Sequence, residues 1–206
     1  MSNHSTQMTR LVEWGVASRS LDCDGESGDY YAVKLIHSGA LLAVVDGLGH
    51  GKQAAESAKL AVSTVYEYTE DSILSVFARC HEQLKGTRGV VMSLALFNAA
   101  DRTMTWAGVG NVEGLLIRRR IDSATRANSL MLGSGVIGDR LPRVRASIKT
   151  VSPGDFVILS TDGIRTGFDE GLNLRSTPQQ IANSIMASHK RDDDDALVLV
   201  ARYVGL

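Results

Sequence analysis

Residues 43–61 read AVVDGLGHGKQAAESAKLA: an apolar strand, a glycine-rich turn and an alanine-rich helix, with one carboxylate, Asp46, where the strand ends. Gly47, Gly49 and Gly51 let the turn adopt backbone conformations that a Cβ forbids, so it can approach a phosphate or a metal ion closely. Three chemistries use such a turn. A phosphate-binding P-loop needs G-x-x-x-x-G-K-[ST], but Gly47 to Gly51 is one residue short and Gln53 stands in place of the hydroxyl. A dinucleotide fingerprint, G-x-G-x-x-G, would put its third glycine at Lys52, and its acidic partner would be Glu67 or Glu70 within a helical pattern. The third is a metal site in which Asp46 supplies a hard oxygen ligand and the adjacent backbone carbonyl a second, which requires further carboxylates elsewhere in the chain.

Working outward from this stretch, apolar runs of strand length recur at residues 9–18, 29–38, 40–46, 89–98, 102–110, 112–120, 144–151, 155–162 and 196–204. They are joined mostly by hairpin signals such as HSGA, NAADR and GN, which predicts a largely antiparallel sheet system. Helical periodicity appears in three segments. In residues 52–69, Ala54, Ala58, Ala61, Val62 and Val65 share a face. In residues 71–84, Asp71 or Ser72 is the N-cap and Ile73, Leu74, Phe77 and Leu84 form the stripe. In residues 177–190, Thr177 caps, Pro178 takes the first helical position, and Ile181, Ile185 and Met186 face inward. Residues 121–142 lack a pattern and read as a long, mobile loop.

The 206 residues suit a single domain spanning 1–206, with 44% hydrophobic and 22% charged residues, an ordinary globular composition that excludes wholesale disorder. A formal net charge of −1 leaves no global field to attract nucleic acid or anionic lipid. No run approaches the length of a membrane span and the N-terminus lacks a signal-peptide pattern, so the expectation is a cytoplasmic protein without membrane partners. Cys23 and Cys80 lack metal-ligand spacing and read as reduced thiols. Trp14 and Trp106 fall in strand patterns, as sandwich core or sheet cover. The basic residues Arg118, Arg119, Arg120, Arg126, Arg140, Arg143 and Arg145 either dock an acidic partner or solvate strand ends.

Three further acidic positions fall at strand ends: Asp29 after GESG, Asp162 in STDG after FVILS, and the run Asp192, Asp193, Asp194 and Asp195 before ALVLVARY. Any one alone is ordinary turn or cap chemistry. Both VVDG and STDG follow buried strands, however, where convergent carboxylates repel unless a cation is present. Several carboxylates without a Cys or His ligand set suit a hard divalent ion such as Mg²⁺ or Mn²⁺.

The order G-D before a strand, V-D-G-L-G-H-G opening a helix, G-N between strands, S-T-D-G, and D-D before the last strand resembles the metal-dependent protein phosphatase (PPM) family. The similarity is greatest to its small bacterial stressosome serine phosphatases of the RsbX type and spans about residues 9–204. It implies an α+β fold, an αββα sandwich of two antiparallel sheets flanked by helices. It also implies two Mn²⁺ or Mg²⁺ ions held by Asp29, Asp46 as the bridging ligand, the Gly47 carbonyl, Asp162 and one terminal aspartate, Asp194 or Asp193. The activity implied is hydrolysis of phosphoserine or phosphothreonine, and the partners implied are phosphorylated STAS-domain proteins of a stressosome. A phosphatase of a single-domain anti-anti-sigma factor and a non-catalytic binding module of the same fold are the alternatives. His50, two residues beyond the position where a histidine often stands in the eukaryotic branch, is either a general acid or a turn residue. The phosphate-binding arginine of that branch has no clear match, Arg19 lying well before Asp29.

Overall fold

The computed structural model describes residues 11–21, 26–37, 39–68, 72–119 and 127–205. Cys23, Asp71, Arg120 and Arg126 lie outside them. The elements in chain order are β1 (Val12–Arg19), β2 (Asp29–Ile36), β3 (Gly39–Gly47), α1 (Lys52–Glu67), α2 (Ile73–Gln83), β4 (Val90–Asn98) and β5 (Thr103–Val109). They continue with β6 (Glu113–Ile117), β7 (Ala127–Ser129), β8 (Leu132–Gly133), β9 (Ser147–Thr150), β10 (Phe156–Ser160), α3 (Pro178–His189) and β11 (Ala196–Tyr203). Two sheets result, ordered β1-β11-β10-β6-β7 and β2-β3-β4-β5-β8, with β9 also on β5. Every pairing is antiparallel except the two-residue match of β8 to β5.

Period-2 alternation sorts the side chains into layers. Leu42 and Val44 of β3, Phe97 of β4, Trp106 of β5, Leu159 of β10 and Leu199 of β11 meet between the sheets. Leu41, Ala43 and Val45 point the other way, onto Ala58, Ala61 and Val65 of α1 and Phe77 of α2. Ile158, Val198 and Val200 pack outward on Ile181 and Ile185 of α3. Strands buried on both faces lose the alternating polar residues of a half-exposed sheet, which is why β3 and β11 read as continuous apolar runs. The architecture is the αββα sandwich expected.

Helix boundaries follow local chemistry. Ser72 caps α2 by accepting from the Ser75 amide, and Thr177 with Gln180 closes a capping box ahead of Pro178. The buried face of α2 is Ile73, Val76, Phe77 and Cys80 at i, i+3, i+4, i+7 spacing, which rotates the expected Leu74 out to 45% exposure. On α1, Val62 lies at the edge of the stripe and is half-buried, as is Met186 on α3. Trp106 is core, whereas Trp14 is 44% exposed because β1 is an edge strand. Trp14 leans on Tyr31 of the other sheet with ring centroids 6.0 Å apart.

Part of the stretch expected as a loop is ordered by pairing. β7 and β8 fall within residues 127–142, and Ile137 bridges to Val90 with both backbone hydrogen bonds at 2.9 Å. Two- and three-residue strands carry too little periodicity to be seen in the sequence. The basic group also divides. Arg118 turns inward to the buried Asp155 at 2.8 Å and the Thr150 carbonyl at 2.6 Å, while Arg140, Arg143 and Arg145 are exposed.

Candidate metal centre and active site

Strand parity carries four polar side chains into one end of the inter-sheet space. Asp46 follows Leu42 and Val44 on the inner face of β3, and Asp29, its direct cross-strand partner on β2, precedes Tyr31 and Val33 on the same face. From the other sheet, Thr161 continues the inner-facing series Val157, Leu159, and Asp195 precedes Leu197 and Leu199. The sheets are joined here by Thr161, whose hydroxyl donates to Asp29 Oδ2 at 2.7 Å and accepts from the Leu197 amide at 2.9 Å.

A cavity of about 490 Å³ opens above these residues. Asp46, Asp162, Asp193 and Asp194 line it, with Gly49, His50 and Asn111 among the other polar positions. Asp29 is 7% exposed and lies behind Asp46, and Gly47 is buried with its amide donating to the Gly28 carbonyl at 3.0 Å. The structure thus brings Asp46, Asp162, Asp193, Asp194 and His50 to one cavity, with Asp29 and Gly47 directly beneath. A Cβ on Gly47 would fall 2.1 Å from the Ala54 carbonyl oxygen, so only glycine lets α1 start this close to the strand end.

Asp195 has a different task from its neighbours in the run. Its carboxylate accepts from the amides of Leu21 at 2.7 Å and Gly28 at 2.6 Å, tying the residues before β2 to the start of β11. Asp192 pairs with Lys190 and faces outward. Asp193 and Asp194 are left to face the cavity. Asn111, in the turn between β5 and β6, donates to Asp162 Oδ2 at 2.6 Å and fixes that side chain. Its GN pair was legible in the sequence as a motif, but its role as the orienter of Asp162 was not. Thr161 and Asp195 were missed as supports, and inner-face parity of β10 and β11 is the signal that points to both.

Electrostatics show how burial and mutual repulsion act on the two inner carboxylates. Burial, opposed by the Thr161 hydrogen bond and reinforced by Asp195, Asp194 and Asp162, pushes Asp29 up to about 7. Burial and the charges of Asp29, Asp162, Asp194 and Asp195 push Asp46 up to about 8. The charges acting on both groups are all negative, so a cation beside them would favour the ionised form of Asp29 and Asp46. Among the described residues no three Asp, Glu, His or Cys side chains are grouped closely enough to hold one metal ion together. Carboxylates spread around a water-accessible cavity, without thiolate or imidazole cages, fit a hard ion such as Mg²⁺ that takes one or two carboxylates and keeps several waters. The donor set therefore fits a divalent metal.

Cys80 offers no competing nucleophile. It is buried under α1, away from the cavity, and burial pushes its thiol up to about 12. No helix among the described residues is long and apolar enough to cross a membrane.

Comparison with known proteins agrees with the geometry. Residues 37–204 match the family described as Stage II sporulation protein E (SpoIIE). The phosphoserine phosphatase RsbX of Bacillus subtilis (strain 168) is 28% identical over 183 residues, which cover 87% of this chain and 90% of RsbX. Among solved structures, one described as the bacterial stressosome, a modular system adapted to control secondary messenger signaling, superposes with a TM-score of 0.83. It is 28% identical and the match covers 93% of this chain and 99% of that one. A crystal structure of RsbX in complex with magnesium has the same fold, with a TM-score of 0.82, 22% identity and coverage of 94% and 96%. The strand-end carboxylates, the two-sheet sandwich and these matches agree: the chain belongs to the SpoIIE family of PP2C-type phosphatase domains.

Proposed function

We propose that this chain hydrolyses phosphoserine or phosphothreonine on STAS-domain proteins of a stressosome, resetting the complex after a kinase has acted. The observation that carries the phosphatase reading is the meeting of Asp46, Asp162, Asp193 and Asp194 at one cavity with Asp29 buried behind them. The similarity to RsbX and to the stressosome structure supports the choice of substrate.

In this reading Asp46, with Asp29 and the Gly47 carbonyl beneath it, and Asp162, Asp193 and Asp194 hold two Mn²⁺ or Mg²⁺ ions. When bound, such ions supply an acidified water for in-line attack on phosphorus and neutralise the phosphoryl oxygens. The chain's own groups prepare the site. Asn111 holds Asp162 in one orientation, Thr161 fixes Asp29, and Asp195 anchors the backbone that carries Asp29. Leu48, Val91 and Val136 give the cavity apolar walls that limit water around the reacting group. His50, at the rim, protonates the departing serine or threonine oxygen.

The test is release of phosphate from a phosphorylated STAS-domain protein with Mn²⁺, Mg²⁺ or EDTA. Metal-dependent release from serine or threonine is expected. Turnover of a generic phosphomonoester without release from the STAS protein would overturn the substrate assignment, and Mn²⁺ binding without any turnover would overturn catalysis in favour of partner binding.

A further inference from the structure

Apart from the carboxylates, one arginine is held against the cavity rim. Arg88 lies in the connection from α2 to β4, just before Gly89, whose carbonyl accepts from the Leu48 amide at 3.1 Å. A Cβ on Gly89 would lie 2.7 Å from Val136 Cγ1. Leu48 and Val136 both line the cavity, so Gly89 packs against two of its walls, and Arg88 with Gln53 lines a neighbouring groove. Its side chain then folds back over the glycine turn. Nε donates to Gln53 Oε1 at 2.8 Å, and Nη1 lies 2.4 Å from where a Cβ on Gly49, another lining residue, would stand.

An exposed arginine ordinarily samples many rotamers. This one is pinned through Nε, and among the described residues no carboxylate pairs with it. Its Nη groups remain available as a planar fork, the geometry that matches two oxygens of a phosphoryl group. Gly49 has φ +88° and no side chain, so Nη1 of the guanidinium can come close to the turn that borders the reacting space. Arg19, by contrast, ends β1, where its charge acts on Asp192.

We propose that Arg88, oriented by Gln53, reaches past Gly49 to bind the phosphoryl group of the substrate; this rests on the phosphatase reading above. Inorganic phosphate is the probe, titrated calorimetrically into Mn²⁺-loaded wild type, Arg88→Ala, Arg88→Lys, Gln53→Ala and Lys85→Ala. Lys85 pairs with Glu82 in the same connection and controls for simple loss of charge. The expected result is that Arg88→Ala weakens phosphate binding about tenfold or more, the size of one lost charge-assisted contact. Arg88→Lys recovers part of it, Gln53→Ala loses less, and Lys85→Ala matches wild type. KM for a phosphorylated peptide rises in parallel in Arg88→Ala, with Mn²⁺ affinity and melting temperature unchanged. Phosphate binding in Arg88→Ala within about twofold of wild type, or equal weakening in Lys85→Ala, overturns the assignment. Absence of phosphate binding to wild type does so too. Because binding is read without turnover, wild type that binds phosphate through Arg88 yet hydrolyses no phosphomonoester would refute the phosphatase reading alone.

Discussion

Replacing Asp195 with alanine separates scaffold from ligand within a run of four identical residues. Asp195 is 9% exposed and accepts two backbone hydrogen bonds, from Leu21 at 2.7 Å and Gly28 at 2.6 Å. Hydrogen bonds to a charged group contribute about 1.5–3 kcal/mol each, so losing both costs about 3–6 kcal/mol. For a chain of this size 1 kcal/mol moves the melting temperature by about 2–4 °C, which places Asp195→Ala roughly 6–24 °C below wild type. Asp194 faces the cavity, and among the described residues its side chain is tied only to the Asp195 amide at 2.9 Å. Asp194→Ala therefore leaves the metal-free melting temperature within a few degrees of wild type and weakens Mn²⁺ binding instead. Thermal melts by circular dichroism in EDTA, paired with calorimetric Mn²⁺ titrations, read both quantities. Equal destabilisation by the two substitutions, or an unchanged melt for Asp195→Ala, refutes the division of labour.

Two further outcomes follow from the same geometry. Asn111→Ala frees Asp162 from its 2.6 Å hydrogen bond and lowers Mn²⁺ affinity about 10-fold or more, the range of losses when a ligand's outer partner is removed; an unchanged calorimetric affinity contradicts this role. In EDTA the protein loses stability as pH rises. Asp29 and Asp46 are raised from 3.8 to about 7 and about 8 in the folded state, so the folded chain binds more protons than the unfolded one between about pH 4 and pH 8, and unfolding free energy falls across that window. Urea melts at pH 5.5 and pH 8 check the sign; Mn²⁺ should reverse the trend, and a metal-free protein more stable at pH 8 contradicts it.

The layers were legible because antiparallel strands covered by helices write their burial into runs such as ALLAVVD and ALVLVARY, and because three periodic helices, two of them with side-chain caps, lie between them. Asp46, Asp162 and the terminal run were legible as carboxylates at the ends of buried strands. What the sequence did not contain was register. That Asp29 stands directly opposite Asp46 depends on the β2–β3 pairing, and that Asp195 turns to two amides while Asp193 and Asp194 face the cavity depends on how residues 21 and 28 pass β11. Arg88 is more remote still. Its chain neighbours carry no motif, and only the approach of Gly89 to Val136 and the lie of the side chain over Gly49 bring it to the cavity. Trp14 shows the converse limit: an inner-facing position on an edge strand is core by periodicity and half-open by topology.

The central claim is that Asp46 anchors a divalent-metal site on which phosphomonoester hydrolysis depends. The most direct measurement is Mn²⁺ titration by calorimetry on wild type and Asp46→Asn, with hydrolysis of a generic phosphomonoester followed on the same samples. The account predicts that wild type binds Mn²⁺ and turns over only with the metal, and that Asp46→Asn loses both while remaining folded in EDTA. Turnover by wild type in EDTA, or full Mn²⁺ binding and activity in Asp46→Asn, would contradict it.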